Sequence, residues 1–294
     1  MPTTYAWTGS VSASATNNAN LSPSGTNLAT NDSLTFDQNA VGPLSGSSTG
    51  SLTGTKLANL NITGLCSQAI TIGDLGTAFQ IGFAACYVGA KPGGVYGGGG
   101  AGRINLDAGT NAFNLTVLGT ASSGVDNGLE PMRIKGSNAT NTANILGGTV
   151  GFATNAAADT ATIYSLNVEG GASPFATSPP VVNVASGVTL TNLLLTGGTV
   201  NLNCAATSVV QTGGSLNLAG AGTIGSIAVV NGTADFTACG VAKTVTTCKL
   251  YAGAVLRVNN NITFTNPIQL VQCTLSDVTI VTVPPNVSLA IAYL

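Results

Sequence analysis

The side chains best suited to chemistry in this sequence are its six cysteines and ten carboxylates, because the chain has no histidine. Without histidine, a Ser–His–Asp or Cys–His nucleophile cannot be assembled. None of the cysteines belongs to a Cys-x-x-Cys pair, which argues against a zinc site. They lie in several apolar or threonine-rich runs, so the sequence favours free buried thiols over disulfides. The cysteines are Cys66, Cys86, Cys204, Cys239, Cys248 and Cys273.

Asp126 and Glu130 are the two acidic residues closest together in the sequence. A glycosidase needs two carboxylates about 5–10 Å apart, and some β-helices carry such a pair. Here the intervening segment holds an Asn-Gly dipeptide and is followed by a proline, which indicates a solvated turn. The only tryptophan, Trp7, lies outside the repeats, so few aromatic rings are offered to a sugar. The sequence therefore predicts no catalytic site and no enzyme activity.

A glycine-rich run spans residues 93–103 and has the composition of a phosphate-binding loop. It lacks the Lys-Ser/Thr ending of a P-loop, and no helical pattern follows it. A surface loop is the better interpretation. The Gly-Gly-x-Gly-x-Asp calcium repeat is also missing. We therefore expect no cofactor and no metal site.

The composition predicts an all-β protein. Charged residues make up only 6% of the chain and hydrophobic residues 44%, most of them small. Helices need Glu, Lys, Gln and Arg on their wet faces, whereas Thr and Asn outside and Val, Ile and Leu inside are typical of strands and tight turns. The net charge of −2 and the lack of a basic run predict no nucleic-acid partner. No apolar run reaches the roughly 18 residues of a membrane span, so no membrane partner is expected.

Internal repetition predicts the architecture. A unit of apolar strand, glycine turn and second strand recurs around Gly198, Gly214, Gly232 and Gly253, at spacings of 16, 18 and 21 residues. This drifting period is typical of a β-solenoid, a parallel β-helix whose stacked coils bury a common core. A β-sandwich or jelly roll is the alternative. The solenoid predicts ladders of like residues along the stack and an inward-facing set. That set is Leu195, Val200, Leu202, Val210, Leu216, Leu218, Val229 and Phe236.

Composition divides the chain into three parts. Residues 1–45 lack the period and are predicted to be an irregular N-terminal arm or entry cap, residues 46–277 the solenoid body, and residues 278–294 an apolar C-terminal tail. Exposed apolar surface of this size usually marks an interface, so the tail is predicted to form oligomer contacts. Folding back as an intramolecular cap is the alternative. The proposed contact residues are Ile280, Val283, Val287, Leu289, Ile291 and Leu294.

Three short motifs near the start carry a resemblance. They are a Trp-x-Gly at Trp7–Gly9, the segment Asn20–Pro23, and an aspartate followed by alternating apolar residues at Asp32–Phe36. Together they resemble the opening of β-helical phage structural proteins and of autotransporter-like passenger repeats, with Leu21 in place of a second tryptophan. The resemblance covers about 30 residues, and the rest of the chain is similar by its style of repeat. It implies a virion structural protein, often trimeric and without enzyme activity.

The residues and the resemblance together give the functional expectation. The first residues show no cationic region followed by an apolar run, so no cleavable secretion signal is expected, which suits the phage group better than the autotransporters. We expect a non-enzymatic capsid decoration or cement protein on the virion surface, bound to the major capsid protein or another virion protein, and a homo-oligomer, most simply a homotrimer. The alternatives are a carbohydrate-binding or carbohydrate-cleaving tail spike or adhesin, and a secreted scaffold of a cell-surface layer.

Overall fold

A computed structural model gives the arrangement of the chain. It describes residues 2–9, 17–24, 27–37, 40–42, 52–63, 71–74, 76–89, 103–120, 130–170, 179–284 and 288–294. Within these ranges the regular structure is β-strand, apart from one short 3-10 helix at Asn18–Asn20. No helix in the described ranges has the length and hydrophobicity needed to span a membrane. The predicted all-β fold is confirmed.

The strands are short and follow one another at nearly regular intervals. The first twelve are β1 Thr4–Trp7, β2 Leu21–Ser22, β3 Ser33–Phe36, β4 Leu52–Ile62, β5 Phe79–Val88, β6 Ile104–Asp107, β7 Asn114–Val117, β8 Met132–Lys135, β9 Thr142–Ile145, β10 Thr149–Phe152, β11 Ala161–Val168 and β12 Val181–Val184. The others are β13 Val188–Leu195, β14 Thr199–Leu202, β15 Ala206–Gln211, β16 Ser215–Leu218, β17 Gly222–Val229, β18 Gly232–Asp235, β19 Lys243–Leu250, β20 Ala254–Asn259, β21 Ile262–Phe264, β22 Ile268–Leu270, β23 Thr279–Val283 and β24 Ile291–Tyr293.

The strands from β6 to β20 alternate between two parallel ladders, so each coil in this part of the chain contributes one strand to each ladder. Ladder A runs from β1 through β3, β4, β5 and the odd-numbered strands to β19, then through β21 and β22 to β24. Ladder B runs from the start of β5 through the even-numbered strands β6 to β20 and ends at β23. Each strand pairs with the strand one coil away, which is the predicted β-solenoid.

Apolar side chains stack in columns between the ladders. Leu193, Val209, Ile227 and Cys248 are partners in register along ladder A, and each is at most 2% exposed. Strand geometry requires this alternation, since successive side chains point to opposite faces. Seven of the eight residues predicted to face inward are buried, which confirms the register for most of the repeat.

The prediction for Val210 is wrong. Val209 faces the core instead, and Val210 is only partly buried. The inward position that follows belongs to Gln211, a polar residue that a sequence pattern places outside. Its side-chain Nε2 donates to the carbonyl oxygens of Gly214 at 2.9 Å and Thr233 at 3.0 Å. These bonds offset part of the cost of burying the amide, whose Oε1 has no hydrogen-bond partner among the described residues, and the strand keeps the register of its neighbours.

The turn glycines have a specific cause. Gly198, Gly214 and Gly232 adopt φ values of 83°, 70° and 93°, a region that L-residues avoid. A Cβ on Gly214 would also lie 2.5 Å from the carbonyl oxygen of Gly198, so the stacked turns leave no room for one. Gly253 does not continue this column, because Gly232 pairs with Ala254. The turn before β20 therefore holds one more residue than the repeat predicts.

Candidate functional site

The C-terminal end of the solenoid is open. β23 pairs with β20, and β24 pairs with β22. Among the described strands neither has a partner on its other side. In a parallel ladder alternate residues bond to each neighbour. The amide of Ile268 donates to the carbonyl of Ala290, and the amide of Leu294 donates to that of Leu270. The backbone groups of Ile291 and Tyr293 therefore point toward the open edge.

Five of the six predicted contact residues lie in this last coil. Ile280, Leu289 and Ile291 are partly buried and pack against the end of the core. Val283 is 50% exposed and Leu294 64% exposed, and Val287 lies outside the described residues. The tail is thus a final coil of the stack, and its inner side chains have a neighbour on one side only. A surface of this kind leaves apolar area exposed to water unless another chain covers it.

The open end carries almost no charge. Between Val258 and Leu294 the only charged side chain is Asp277. Its carboxylate accepts hydrogen bonds from the backbone and hydroxyl of Thr274, which lower its pKa. A groove of about 390 Å³ runs along the side of this end, with Phe264 and Leu289 among its lining residues. Nothing in these residues favours a charged ligand over an apolar one.

The N-terminal end is built differently. β2 pairs antiparallel with β1, so the first coil closes on itself. Trp7 is fully buried there, 5.9 Å from the ring of Phe36, and its indole nitrogen donates to the carbonyl of Gly42 at 3.0 Å. The aromatic residue that the sequence placed outside the repeats is therefore part of a cap. The two ends of the solenoid are not equivalent.

An ion cluster lies on the outer side of ladder B. Lys135 Nζ is 2.7 Å from Asp159 and 3.7 Å from Asp107, beside a surface cavity of about 240 Å³. Burial disfavours the ammonium, but the two carboxylates outweigh it and raise the pKa of Lys135. Both carboxylates are committed to this lysine, so neither is placed as a free acid or base. The cluster is therefore a structural link that joins neighbouring coils through ion pairs.

Glu130 belongs to a ladder of asparagines, and Asp126 lies outside the described residues. Asn183 donates to Glu130 Oε1 at 2.7 Å, Asn201 donates to Asn183 at 2.6 Å, and Asn217 donates to Asn201 at 2.8 Å. This is the predicted ladder of like residues. The Glu130 carboxylate occupies the space above Gly151, where a Cβ would lie 2.9 Å from its carbon. Glu130 therefore terminates a structural ladder in which each asparagine donates to the next residue and Asn183 donates to the carboxylate.

Lys243 is the least expected residue of the interior. It is 1% exposed, and its Nζ donates to the carbonyl oxygens of Cys204 at 3.1 Å, Gly220 at 3.3 Å and Ala219 at 3.4 Å. Among the described residues no carboxylate forms an ion pair with it. Burial lowers its pKa, and the nearby thiols of Cys239 and Cys204 oppose that shift. Lys243 joins the corners of three consecutive coils.

We predict that Lys243→Met destabilises the protein by about 2–3 kcal/mol, because buried carbonyls would lose their donor. The matched control is Lys249→Met on the same strand, where the side chain is only partly buried. That change should stay within about 0.5 kcal/mol. Urea denaturation followed by circular dichroism measures both. Equal stability of Lys243→Met and the unmodified protein would contradict the structural role given to the ammonium.

The cysteines within the described part of the chain show no sign of a reactive site. The five within the described ranges are free, as predicted, and Cys66 lies outside them. Burial raises the pKa of Cys86, Cys204 and Cys248 to about 12, which keeps these thiols protonated and unreactive at neutral pH. No three of the described Cys, Asp and Glu residues come together as a set of metal ligands.

Comparison with known proteins gives no assignment. No protein-family model matches the chain, and no curated protein and no solved structure matches it.

Proposed function

We propose that the chain is a non-enzymatic structural protein of a phage particle, acting as a capsid decoration or cement protein. The observation that carries the proposal is the open C-terminal end, a nearly uncharged apolar surface formed by β23 and β24. This surface has the apolar composition of a protein interior, which is typical of permanent contacts between protein chains. The major capsid protein or another virion protein is the proposed partner of the assembled protein, and the resemblance at Trp7–Gly9 and Asp32–Phe36 supports the virion as its setting.

The body of the molecule supports a structural role as well. Two continuous ladders hold each coil to its neighbours, and columns of apolar residues fill the space between them. The polar contacts of Lys135, Glu130 and Lys243 join coils to one another. Such a body resists bending and presents its ends at a fixed separation, which is what a protein that reinforces a shell requires.

Mass spectrometry of density-purified particles tests this proposal. We expect the protein in a constant ratio to the major capsid protein, retained after high-salt washing, because an apolar contact is little affected by salt. Detection only as free protein in the host cytoplasm, with none on purified particles, would refute the proposal.

One observation favours the carbohydrate alternative. Tyr87 and Tyr164 lie on the outer face of ladder A and are 41% and 51% exposed. They are the kind of flat, amphipathic ring on which a sugar can stack, and sequence reasoning overlooked them because they sit within strands. Binding of host surface polysaccharide that Tyr164→Ala abolishes would support a spike or adhesin. Release of reducing ends would add cleavage to it.

A further inference from the structure

We infer that the C-terminal end of the solenoid joins two copies of this chain, which meet end to end about a two-fold axis. The inference rests on the proposed function in taking this end as a contact surface. It assigns the end to a second copy of the chain, which leaves the side faces of the resulting dimer for the major capsid protein or another virion protein. It is carried by the geometry of β23 and β24 and by the difference between the two ends of the molecule.

The shape of the open end selects its partner. The end presents the edges of β23 on ladder B and β24 on ladder A, beside the shorter unpaired edge of β21, and the apolar side chains of Ile280 and Ile291 pack against the end of the core. A partner that pairs with only one edge leaves the other edge and the core between them in water. A second copy carries two edges at the same separation with the same apolar layer, so it can satisfy both edges at once. Strand edges are a ready template for such pairing.

The contact is expected to be symmetric. A head-to-tail stack would need an unpaired N-terminal edge on ladder A, but β2 pairs antiparallel with β1 there, and Trp7 of β1 is fully buried. Two identical C-terminal ends can face each other through a two-fold rotation, which makes the contact isologous and closed. That rotation sets the facing strands antiparallel. Since one end can cover only one other end, this contact gives a dimer and not the trimer expected from the resemblance.

The charge distribution permits the contact. Two copies brought together by a two-fold axis oppose like charges to like charges, and a charged end would be repelled. Here Asp277 is the only charged side chain after Arg257, and it precedes β23 in an exposed turn. The facing surfaces are otherwise apolar or neutral, so association removes apolar area from water without opposing charged side chains.

Light scattering on the full-length chain at micromolar concentrations tests the inference. We expect twice the chain mass of 28.9 kDa. Two variants should return the monomer mass. Tyr293→Pro removes an amide that points toward the open edge and leaves the bonds of Ala290 and Leu294 to β22 in place. Ile291→Glu places a carboxylate against its own copy in the partner.

Two matched controls should remain dimeric. Tyr293→Ala keeps the edge amide, and Tyr164→Glu adds a carboxylate on the outer face of ladder A, away from the end. Circular dichroism establishes that each variant is folded. A monomer or trimer mass for the unmodified chain would overturn the inference, and so would a dimer that survives both Tyr293→Pro and Ile291→Glu. A dimer absent from particles would overturn only the proposed function, whereas a monomer present on particles would overturn only this inference.

Discussion

Raising the pH to about two units above 9.0 is expected to remove most of the stability of the protein, because three buried thiols remain protonated in the folded state up to a pKa of about 12. In the unfolded chain the same thiols have their ordinary value of 9.0. Cys86, Cys204 and Cys248 are each at most 2% exposed, so their thiolates cannot be solvated without opening the core. Their contribution to stability is fully present below pH 9.0 and is lost as the pH rises toward 12.

The size of this effect rivals the whole stability of the fold. Each thiol costs about 1.4 kcal/mol per pH unit above its unfolded value, so the three together cost about 4 kcal/mol per unit. Two units remove about 8 kcal/mol, whereas a native protein has about 5–15 kcal/mol in total. Lys243 acts in the opposite direction, since its lowered pKa makes stability rise toward pH 10.5, but it is one group against three.

Urea denaturation in reducing buffer, at pH values on both sides of 9.0, measures the loss directly. Cys248→Ala should reduce the slope of the free energy of unfolding against pH by about a third, because one of the three thiols no longer titrates. Val245→Ala, an equally buried change on the same strand, creates a cavity without removing a titrating group and should leave this slope unaltered. A free energy of unfolding that stays constant through this pH range would show that the thiols are accessible to water.

The solenoid could be predicted because the same residue types recur with the period of the coils. Gly198, Gly214 and Gly232 recur with the turns, and the apolar residues around them alternate as strands require. The failures occur where one residue breaks that alternation. Gln211 takes an inward position because two carbonyls accept hydrogen bonds from its side-chain nitrogen, and the extra residue at Gly253 shifts the partner of Gly232 to Ala254. Both depend on contacts between neighbouring coils, which a single segment does not contain.

The polar contacts could not be predicted for the same reason. Glu130 and Asn183 are 53 positions apart, and Lys243 lies 39 positions from the carbonyl of Cys204 that it reaches. The lengths of the loops determine which residues of neighbouring coils become adjacent. The spacing of the repeats varies too much for the sequence to predict these neighbours. The sequence predicts the open end only in part. The tail was recognised as apolar, but its incorporation as the last coil depends on its pairing with β20 and β22.

The second large effect is expected from Leu216→Asp. Leu216 is fully buried, with Val200 and Ala234 as its partners in the two neighbouring coils of ladder B. A carboxylate at this point has no partner, and burying it costs at least several kcal/mol even after it takes up a proton. The neighbouring coils lose their packing with it, because each coil is stabilised mainly by the next. We expect a protein that is unfolded or melts far below the unmodified chain.

Two further substitutions separate charge burial from lost packing. Ser215→Asp places the same carboxylate one residue earlier, on the exposed face, and should change stability by no more than about 0.5 kcal/mol. Leu216→Ala removes the packing without adding a charge and should cost about 2–5 kcal/mol. The expected order of melting temperatures, from highest to lowest, is therefore Ser215→Asp, then Leu216→Ala, then Leu216→Asp. A Leu216→Asp protein that keeps the full melting temperature would mean that β16 turns its other face to the core, and the columns of Val200 and Ala234 would be wrong with it.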